Sequence, residues 1–385
     1  MEKLRIFDNS VMNEDMIEAR TLVKRHAAIV FKIWWFILNM RYLILIGLLF
    51  PTTLCAQDWF TREACFVQTP VLDEQVYTPQ LIAQAADYAE SMPNSVGKLW
   101  KITSARGQVS HLWGTFHSND PHILDLPDKF RDILAGAKLV ATEVDFTAMT
   151  RQDLNVVNSA EYHYANGRQI FQMFEDIDDE IQSLIKTRMA SIGYDARSMY
   201  SMKPATLASV LLSDPCNDFA FASLPIQDDR IALLGHDADA KVIGLEHHRA
   251  FGEKLNSRSG FRLAQAIIEV YGSYLAPNDV KTNRAGAYFL YDQGRIGEMM
   301  ALDRMYLSES LGDRFETSYS LMQGYLVDER NLKFIEAAHS FLQEGDAVIA
   351  VGSFHLPGEM GLIELLRQHG YQVERVFVKG EAADP

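Results

Sequence analysis

The sequence predicts an α/β fold of the α+β kind, in which strands from both ends of the domain form one mixed central sheet around a large helical insertion. Apolar and β-branched runs of strand length occur within residues 98–144 and again within 346–378. From about residue 154 to about residue 340, apolar residues recur mostly at helical spacing. Because strand-forming segments flank a helical middle, we expect one sheet-containing domain into which helices have been inserted.

The elements follow from the spacing of apolar residues and from turn formers. A β-hairpin is predicted at 98–103 and 109–113, because both segments alternate and turn residues separate them. Residues 57–95 lack a strong period and are predicted to be irregular. After the hairpin we expect, in order, a helix at 127–135, a strand at 138–144, helices within 154–212, a strand at 241–245, helices at 261–274, 286–307 and 329–343, a strand at 346–351, a helix at 358–369 and a strand at 371–378.

The composition is typical of a folded globular protein, with 48% hydrophobic and 23% charged residues among 385. The 51 acidic residues outnumber the 36 basic ones, which gives a net charge of −15. No basic patch offsets this charge locally, so we expect no nucleic-acid partner and no binding to anionic lipid. Three cysteines, none in a C-x-x-C pair, are too few for a disulfide scaffold and argue against a cysteine zinc site.

The N-terminal segment, residues 1–56, differs from the rest of the chain. It contains an uncharged apolar run at 42–50, which Arg41 precedes and Ala56 follows after a short gap. A positive residue, a short apolar run and a small residue at the exit are typical of a secretory signal peptide. The alternative is an uncleaved membrane anchor, but the run is too short to span a bilayer comfortably and a longer span would include Arg41.

These features predict an N-terminal extension that ends in a signal peptide at about 40–56, with translation beginning at Met40. The remaining residues, 57–385, are expected to form a single domain in the periplasm or outside the cell, with no stable membrane span after cleavage. That domain keeps Cys65 and Cys216. Two cysteines in an oxidising compartment favour a disulfide over the alternative of two buried thiols.

A G-x-x-H pattern occurs twice, each time directly after a predicted strand. Gly114 and His117 delimit the first copy, and Gly352 and His355 delimit the second. A glycine where a strand ends permits a tight bend and a close backbone approach. Open α/β sheets build their sites at the carboxyl ends of strands. One copy is a weak signal, but two copies at strand ends predict that both histidines face one crevice.

Two glutamates close other predicted strands, Glu143 in the first half of the chain and Glu246 in its middle. Two imidazoles and one or two carboxylates suit a divalent transition metal, which lowers the pKa of a bound water toward 7. A carboxylate that does not bind the metal is a candidate general base. The alternative is that these glutamates form structural ion pairs with arginines such as Arg330.

Eight short motifs occur in the order seen in the TraB/GumN family, so the sequence resembles that family over about residues 97–378. They are G-K-L-W-K-I at 97–102, H-L-W-G-T-F-H at 111–117, E-V-D at 143–145, M-K-P at 202–204, G-L-E at 244–246, E-R-N at 329–331, G-S-F-H-L-P-G-E-M-G at 352–361 and G-Y-Q-V at 370–373. The TraB/GumN family is similar to the Tiki metalloproteases, and more distantly to erythromycin esterase and ChaN-like proteins.

The resemblance implies that the two G-x-x-H histidines and a glutamate gather around one site, which Tiki proteins use for metal-dependent peptide cleavage. This sequence departs from the family pattern after G-L-E, where His247 and His248 follow and at most one of them could join the site. Carried over position by position, the resemblance assigns His117, His355 and Glu143 to the site, with Glu246, Arg330 and Asn331 in support.

The function predicted from these observations is that of an exported metal-dependent hydrolase acting on a peptide or small-molecule substrate. Mn, Co, Zn or Fe is the expected metal, and Arg330 is expected to stabilise developing negative charge. Two alternatives stay open: a non-catalytic protein that binds a peptide or small ligand in the same cleft, and a metal-free, esterase-like hydrolase with a histidine base. The predicted metal ligands are His117, His355, Glu143 and Glu246.

Overall fold

The computed structural model of the protein describes Cys65 and residues 67–164, 173–219, 224–274 and 280–383. All of them fall within one unit of the chain, residues 58–385. The predicted signal peptide and the predicted start at Met40 lie outside the described residues. In the part that is described, no helix is both long enough and apolar enough to cross a membrane.

Six strands form the mixed sheet that the sequence predicts, and the α+β fold is confirmed. Their order across the sheet is β4-β3-β5-β2-β1-β6. Neighbours among β2, β3, β4 and β5 pair in parallel, whereas β1 pairs antiparallel with β2 and β6. The four parallel strands therefore end at the same edge of the sheet. The strands are β1 (Leu99–Thr103), β2 (Val109–Thr115), β3 (Leu139–Thr142), β4 (Lys241–Gly244), β5 (Ala347–Gly352) and β6 (Gln372–Arg375).

One group of helices precedes β4 in the sequence, and its first member lies near the start of the described residues. They are α1 (Pro79–Glu90), α2 (Pro121–Leu124), α3 (Asp128–Ala135), α4 (Arg151–Val157), α5 (Ala160–His163), α6 (Asp179–Ser191), α7 (Pro204–Leu212), α8 (Pro215–Phe219) and α9 (Gln227–Asp237), with a 3₁₀ turn at Ala196–Tyr200.

The other helices follow β4 in the sequence, and the last of them leads into β6. They are α10 (Ala250–Asn256), α11 (Phe261–Ser273), α12 (Val280–Asp292), α13 (Ile296–Leu311), α14 (Phe315–Gln323), α15 (Arg330–Leu342) and α16 (Leu362–Gln368), with a π-helical turn at Gly324–Glu329 and 3₁₀ turns at Gly312–Arg314 and Ser353–His355.

The sheet is buried on both faces by helices. On one face Trp100 packs with residues of α15 and α16, whereas its neighbour Leu99 points to the other face and packs with residues of α3 and α9. Trp113 stacks on Phe130 of α3 there, with ring centroids 4.3 Å apart. Because helices cover both faces, all six residues of β5 are buried. A strand buried on both faces has a continuous apolar sequence.

α1 corrects the prediction of irregular structure over residues 57–95. The hydroxyl of Thr78 accepts the N–H of Leu81 at 3.2 Å, and Pro79 occupies the start of the helix, as expected of a helix N-terminus. Of its residues, Ala85 and Ala89 are the two buried ones. Its two buried residues are small alanines, and Thr78 and Pro79 supply the sequence signal for its start.

The prediction of a single helix at 286–307 is wrong, since the chain forms two helices, α12 and α13, there. Gly294 separates them with φ +67°, a left-handed conformation that glycine adopts without strain. Apolar residues lie on both sides of the break, among them Leu290 and Met299 of one buried cluster. The two helices pack in the same cluster, so their apolar spacing resembles that of one longer helix.

The predicted disulfide between Cys65 and Cys216 is present, and it joins positions 151 residues apart in the sequence. It links the chain before α1 to α8. Next to it, Asp214 accepts the N–H of Cys216 at 2.8 Å and forms an ion pair with Arg284. The disulfide therefore anchors a segment that is also held by charged contacts.

Candidate metal centre

The parallel strands bring the predicted residues to one edge of the sheet. His117 follows β2, Glu143 comes directly after β3, Glu246 lies just beyond β4, and His355 ends the 3₁₀ turn after β5. Arg330 is the first residue of α15, the helix that precedes β5. Since parallel strands end at the same edge, residues far apart in the sequence lie side by side there.

Glu143 lies between the two G-x-x-H histidines. Its Oε1 atom is 3.7 Å from Nε2 of His117 and 3.6 Å from Nε2 of His355. The same oxygen accepts the backbone N–H of Gly352 at 2.6 Å. The two imidazoles therefore direct the same ring nitrogen toward one carboxylate oxygen, and they lie on the same side of the sheet edge.

A buried polar side chain holds the other ring nitrogen of each histidine. Nδ1 of His117 lies 2.8 Å from Oδ2 of Asp228, and Nδ1 of His355 lies 2.7 Å from Oδ1 of Asn331. These contacts orient the rings and leave both Nε2 atoms facing the crevice. Metal-binding histidines generally have such a partner on the nitrogen that does not bind the metal.

The orientation of the Asn331 amide is determined by its two donor contacts. Nδ2 donates to the backbone carbonyls of His355, at 3.1 Å, and Met360, at 2.8 Å, and the residue has no exposed surface. Oδ1 is consequently the acceptor that faces the imidazole. Nδ1 of His355 then carries the hydrogen, and its Nε2 offers a lone pair to the crevice.

The two histidines differ in charge. The carboxylate of Asp228 raises the pKa of His117 to about 9, through its charge and its hydrogen bond with Nδ1. Burial lowers the pKa of His355 to about 4, and the carboxylate of Glu143 offsets only part of that effect. At neutral pH without a metal, His355 is therefore neutral and His117 is protonated, so that a bound metal would have to displace the His117 proton.

Arg330 joins the two glutamates. Its Nη2 donates to Oε2 of Glu143 at 2.6 Å, and its Nε donates to Oε1 of Glu246 at 2.7 Å. Burial by itself favours the neutral acid of Glu143, but Arg330 and the two histidines outweigh it and hold the pKa of Glu143 well below its usual range. Glu143 is thus an anion, and Glu246 forms the ion pair that the sequence left open as an alternative.

A model described as the TraB/PrgY/gumN family matches residues 98–375 of the chain. The chain belongs to this family. The match extends from β1 to β6 and includes every residue of the site described above. No curated protein and no solved structure gives a significant match.

Asp228 is the residue of this candidate site that the sequence analysis did not single out. His117, Glu143 and Asp228 each offer one ligand atom, and these atoms lie within 4.8 Å of one another; in the described part of the chain this is the one such group. Asp228 and Asp229 open α9, where acidic residues commonly favour the helix dipole. The sequence signal was therefore ambiguous, and the tertiary contact with His117 distinguishes Asp228.

The donor chemistry of the site fits a divalent transition metal. Imidazole nitrogen and carboxylate oxygen are the ligands that Mn, Fe, Co and Zn accept. His355 adds a second oriented imidazole next to the group of three, since its Nε2 faces Glu143. Of the two additional histidines, His248 lies 3.5 Å from Asp153 instead.

The glycines of both G-x-x-H copies permit close approaches in this family member. A Cβ atom on Gly352 would lie 2.9 Å from Nε2 of His117 and 3.2 Å from Oε1 of Glu143. A Cβ atom on Gly114 would lie 2.9 Å from Cδ2 of Leu356 and 3.1 Å from Cα of Ser353. The first glycine makes room for the site itself, and the second allows the chain after β5 to pack against β2.

Proposed function

We propose that this TraB/PrgY/gumN protein is an exported metal-dependent hydrolase that cleaves a peptide or a similar bond. One observation carries the proposal: two oriented imidazole Nε2 atoms meet at one oxygen of the ionised Glu143. The export part of the proposal rests on the signal peptide read from the sequence and on the disulfide between Cys65 and Cys216.

The residues of the site have separate roles in this proposal. His117 and His355 hold the metal, while Glu143 is a third ligand or the general base. A divalent metal bound there supplies Lewis acidity and a water of lowered pKa. Arg330 keeps Glu143 anionic and adds positive charge where negative charge develops on the substrate. Glu246 remains a candidate ligand, although its carboxylate pairs with Arg330.

The metal-free alternative with a histidine base has less support than the metal-dependent one. A general base works best with a pKa near the operating pH. The pKa of His117 is raised to about 9 and that of His355 is lowered to about 4. Without a metal, one imidazole is protonated and the other is a weak base, so neither suits the role near pH 7.

The second candidate function is ligand binding without catalysis in the same crevice. The side chain of His117 is 54% exposed, so a ligand from solvent can reach it. A protonated imidazole beside Arg330 would attract a carboxylate or another anionic group of such a ligand. This alternative shares the residues of the hydrolase proposal, and turnover is the property that separates them.

The experiment compares the wild-type protein with His117→Ala and His355→Ala variants. Metal content is measured by mass spectrometry after incubation with Mn, Co, Zn and Fe, and cleavage is measured on a peptide library. His339→Ala serves as the matched control, because His339 is exposed near the end of α15 and contacts Tyr371, which is not part of the site. We expect the wild type and the control to bind metal and cleave peptides, and both site variants to lose these properties.

The proposal is overturned if the wild type takes up none of the four metals and neither site variant changes binding or turnover. Metal uptake that depends on both histidines, together with no cleavage of any library peptide, supports the ligand-binding alternative instead.

A further inference from the structure

His117 lies at the centre of a three-residue turn. The backbone N–H of Ser118 donates to the carbonyl of Phe116 at 2.6 Å, which is the hydrogen bond of a γ-turn. Gln227, the first residue of α9, contacts both ends of this turn. Its Oε1 accepts the N–H of Phe116 at 3.0 Å, and its backbone N–H donates to the carbonyl of Ser118 at 3.1 Å. One helical residue therefore holds the turn that presents His117.

The surroundings of Gln227 determine the orientation of its amide. Nε2 donates to the backbone carbonyl of Ile123, which leaves Oε1 as the acceptor. The hydroxyl of Tyr291 lies 2.9 Å from the same oxygen. Because Gln227 is 1% exposed, water would not replace a hydrogen bond lost there. The contact between Oε1 and the N–H of Phe116 is consequently costly to break.

The aromatic ring of Phe116 is held as well. Its centroid lies 5.5 Å from that of Tyr288 and 5.3 Å from that of Tyr291, in edge-to-face contacts. Such contacts fix where the side chain lies, but the peptide plane before it can still rotate about its flanking bonds. The hydrogen bond to Gln227 fixes that plane, and with it the path of the backbone into His117.

Asp228, the next residue of α9, holds the imidazole that the turn presents. Its Oδ2 lies 2.8 Å from Nδ1 of His117, and its Oδ1 accepts the hydroxyl of Thr115 at 2.8 Å. Since Gln227 and Asp228 are adjacent in one helix, the backbone and the ring of the histidine are held by the same element.

Packing leaves His117 more room than the second histidine of the site. The side chain of His117 is 54% exposed, whereas that of His355 is 6% exposed. Asn331 contacts His355 at its ring and at its backbone carbonyl. For His117 these two contacts are divided between Asp228, at the ring, and Gln227, at the backbone. Hydrogen bonds, more than burial, set the direction of the His117 ring.

We propose that Gln227 is a positioning residue, which holds the γ-turn so that Nε2 of His117 points at Oε1 of Glu143. Those two atoms are 3.7 Å apart. Gln227 acts through the backbone of Phe116 and Ser118. Its importance for metal binding rests on the proposed hydrolase function, whereas the direction of the imidazole is a property of the metal-free protein.

The first experiment uses NMR on the full exported protein in EDTA and compares the wild type with Gln227→Met. The variant removes the amide but keeps the length of the side chain. We expect the amide hydrogen of Phe116 to exchange about ten-fold faster. The Nδ1 proton of His117 should move upfield, because its hydrogen bond to Asp228 is weakened when the turn shifts.

Two further variants separate positioning from a general loss of packing. Gln227→Glu keeps an oxygen that accepts the N–H of Phe116, so we expect it to restore both NMR signals. Gln265→Met is the matched control, because Gln265 is also buried and its amide lies 3.5 Å from Asp176 in the helical insertion. It should leave both signals as in the wild type.

Co²⁺ titration supplies the metal-dependent measurement. Gln227→Met should bind Co²⁺ about ten-fold more weakly than the wild type, and Gln227→Glu and Gln265→Met should bind it as the wild type does. Urea denaturation measures the stability of each variant. An equal loss of Co²⁺ affinity in Gln265→Met and Gln227→Met would show that lost packing is responsible, and would overturn the inference.

A shorter side chain keeps the test decisive if Gln227→Met does not fold. Gln227→Asn retains an amide but is one methylene shorter, so its oxygen no longer reaches the N–H of Phe116, and we expect the same changes in the NMR signals. An unchanged signal of the His117 ring proton in whichever variant folds overturns the inference, whatever the exchange rate at Phe116.

The wild type distinguishes failure of this inference from failure of the proposed function. If it takes up no metal while Gln227→Met still alters the His117 signal, the hydrolase function is overturned and the positioning role is supported. If it binds metal and cleaves peptides, and Gln227→Met does both equally well, the positioning role alone is overturned.

Discussion

Oε1 of Glu143 accepts the backbone N–H of Gly352 at 2.6 Å. This hydrogen bond connects the end of β3 to the end of β5 and holds the carboxylate between two imidazoles. The bond is possible at this distance because Gly352 has no side chain, since a Cβ atom there would lie 2.9 Å from Nε2 of His117. The geometry of the candidate metal centre thus depends on a backbone group as much as on side chains.

Replacing Gly352 with alanine should therefore disturb the centre more than the fold. We expect metal affinity to fall by about ten-fold or more, with a loss of roughly 1–3 kcal/mol in unfolding free energy from overpacking. Metal titration and urea denaturation measure the two effects. Gly136→Ala is the control, because a Cβ atom there meets nothing closer than 3.7 Å. Unchanged metal affinity in Gly352→Ala would contradict the close-approach argument.

Removing Arg330 should destabilise the protein. Arg330→Met leaves the buried carboxylates of Glu143 and Glu246 without their shared cation, and breaking such a buried pair costs about 3–5 kcal/mol. The pKa of Glu143 should rise in the variant, since Arg330 is the strongest influence that lowers it. Denaturation at pH 7 and at pH 4 measures the cost.

The deficit of Arg330→Met should be larger at pH 7 than at pH 4. In the wild type the lowered pKa of Glu143 contributes stability above the unfolded-state pKa, and the variant lacks this contribution, while protonation at low pH relieves the repulsion between the carboxylates. The exposed Arg258 supplies the control Arg258→Met. An equal loss for both arginines would show that the ion pair is not responsible.

Asp228 should control the orientation and charge of His117. In Asp228→Asn we expect the pKa of His117 to fall from about 9 toward its ordinary value, since Asp228 is the main cause of the increase. Loss of the oriented carboxylate should also reduce metal affinity by about 10- to 100-fold. NMR titration of the imidazole and metal titration provide the two measurements. Asp237→Asn, an exposed position on the same helix, should change neither.

Ionisation of Asp303 should lower the free energy of unfolding as the pH rises. Its pKa in the folded protein is about 6 against an ordinary value of 3.8, so the folded state holds the proton more tightly and stability falls as the pH rises through that interval. The groups whose ionisation its charge affects are Tyr271 of α11, Tyr274 directly after that helix and Tyr319 of α14, and all three stay neutral in this interval.

The variant Asp303→Asn should therefore be more stable than the wild type at pH 7, by roughly 2 kcal/mol, with a smaller difference near the lower end of the interval. Thermal denaturation across pH 4 to 7 tests this expectation. A variant that is less stable at every pH would indicate that the carboxylate has an unrecognised partner.

Loss of the disulfide should weaken both the fold and the site. Cys65 and Cys216 are separated by 151 residues, and closing so long a loop stabilises a protein by about 3–5 kcal/mol. Asn217, next to Cys216, donates to the backbone carbonyl of His117 at 3.2 Å. We expect reduction to lower the melting temperature and to weaken metal binding. The Cys65→Ser, Cys216→Ser double variant should respond to reductant no further, and a wild type unaffected by reductant would contradict this prediction.

Much of the fold could be predicted because buried positions recur at the period of each helix or strand, and apolar residues occupy them. The strands of the sheet were found where apolar runs predict them, and β5 is the clearest case because both its faces are covered. Prediction failed where the buried residues of a helix were small, and where apolar residues continued across a break between two helices. α1 packs through alanines, and the break at Gly294 interrupts a run of apolar residues that lie in one cluster on both sides.

The sequence by itself determined which residues stand at the ends of strands, the paired G-x-x-H pattern and the resemblance to the family. Tertiary structure alone decided the partners of those residues. Asp228 meets His117 across 111 residues, and Arg330 meets Glu246 across 84. The physical reason is that the spacing of apolar residues indicates which face of a helix or strand is buried. A hydrogen bond between two elements depends instead on how those elements are placed relative to each other.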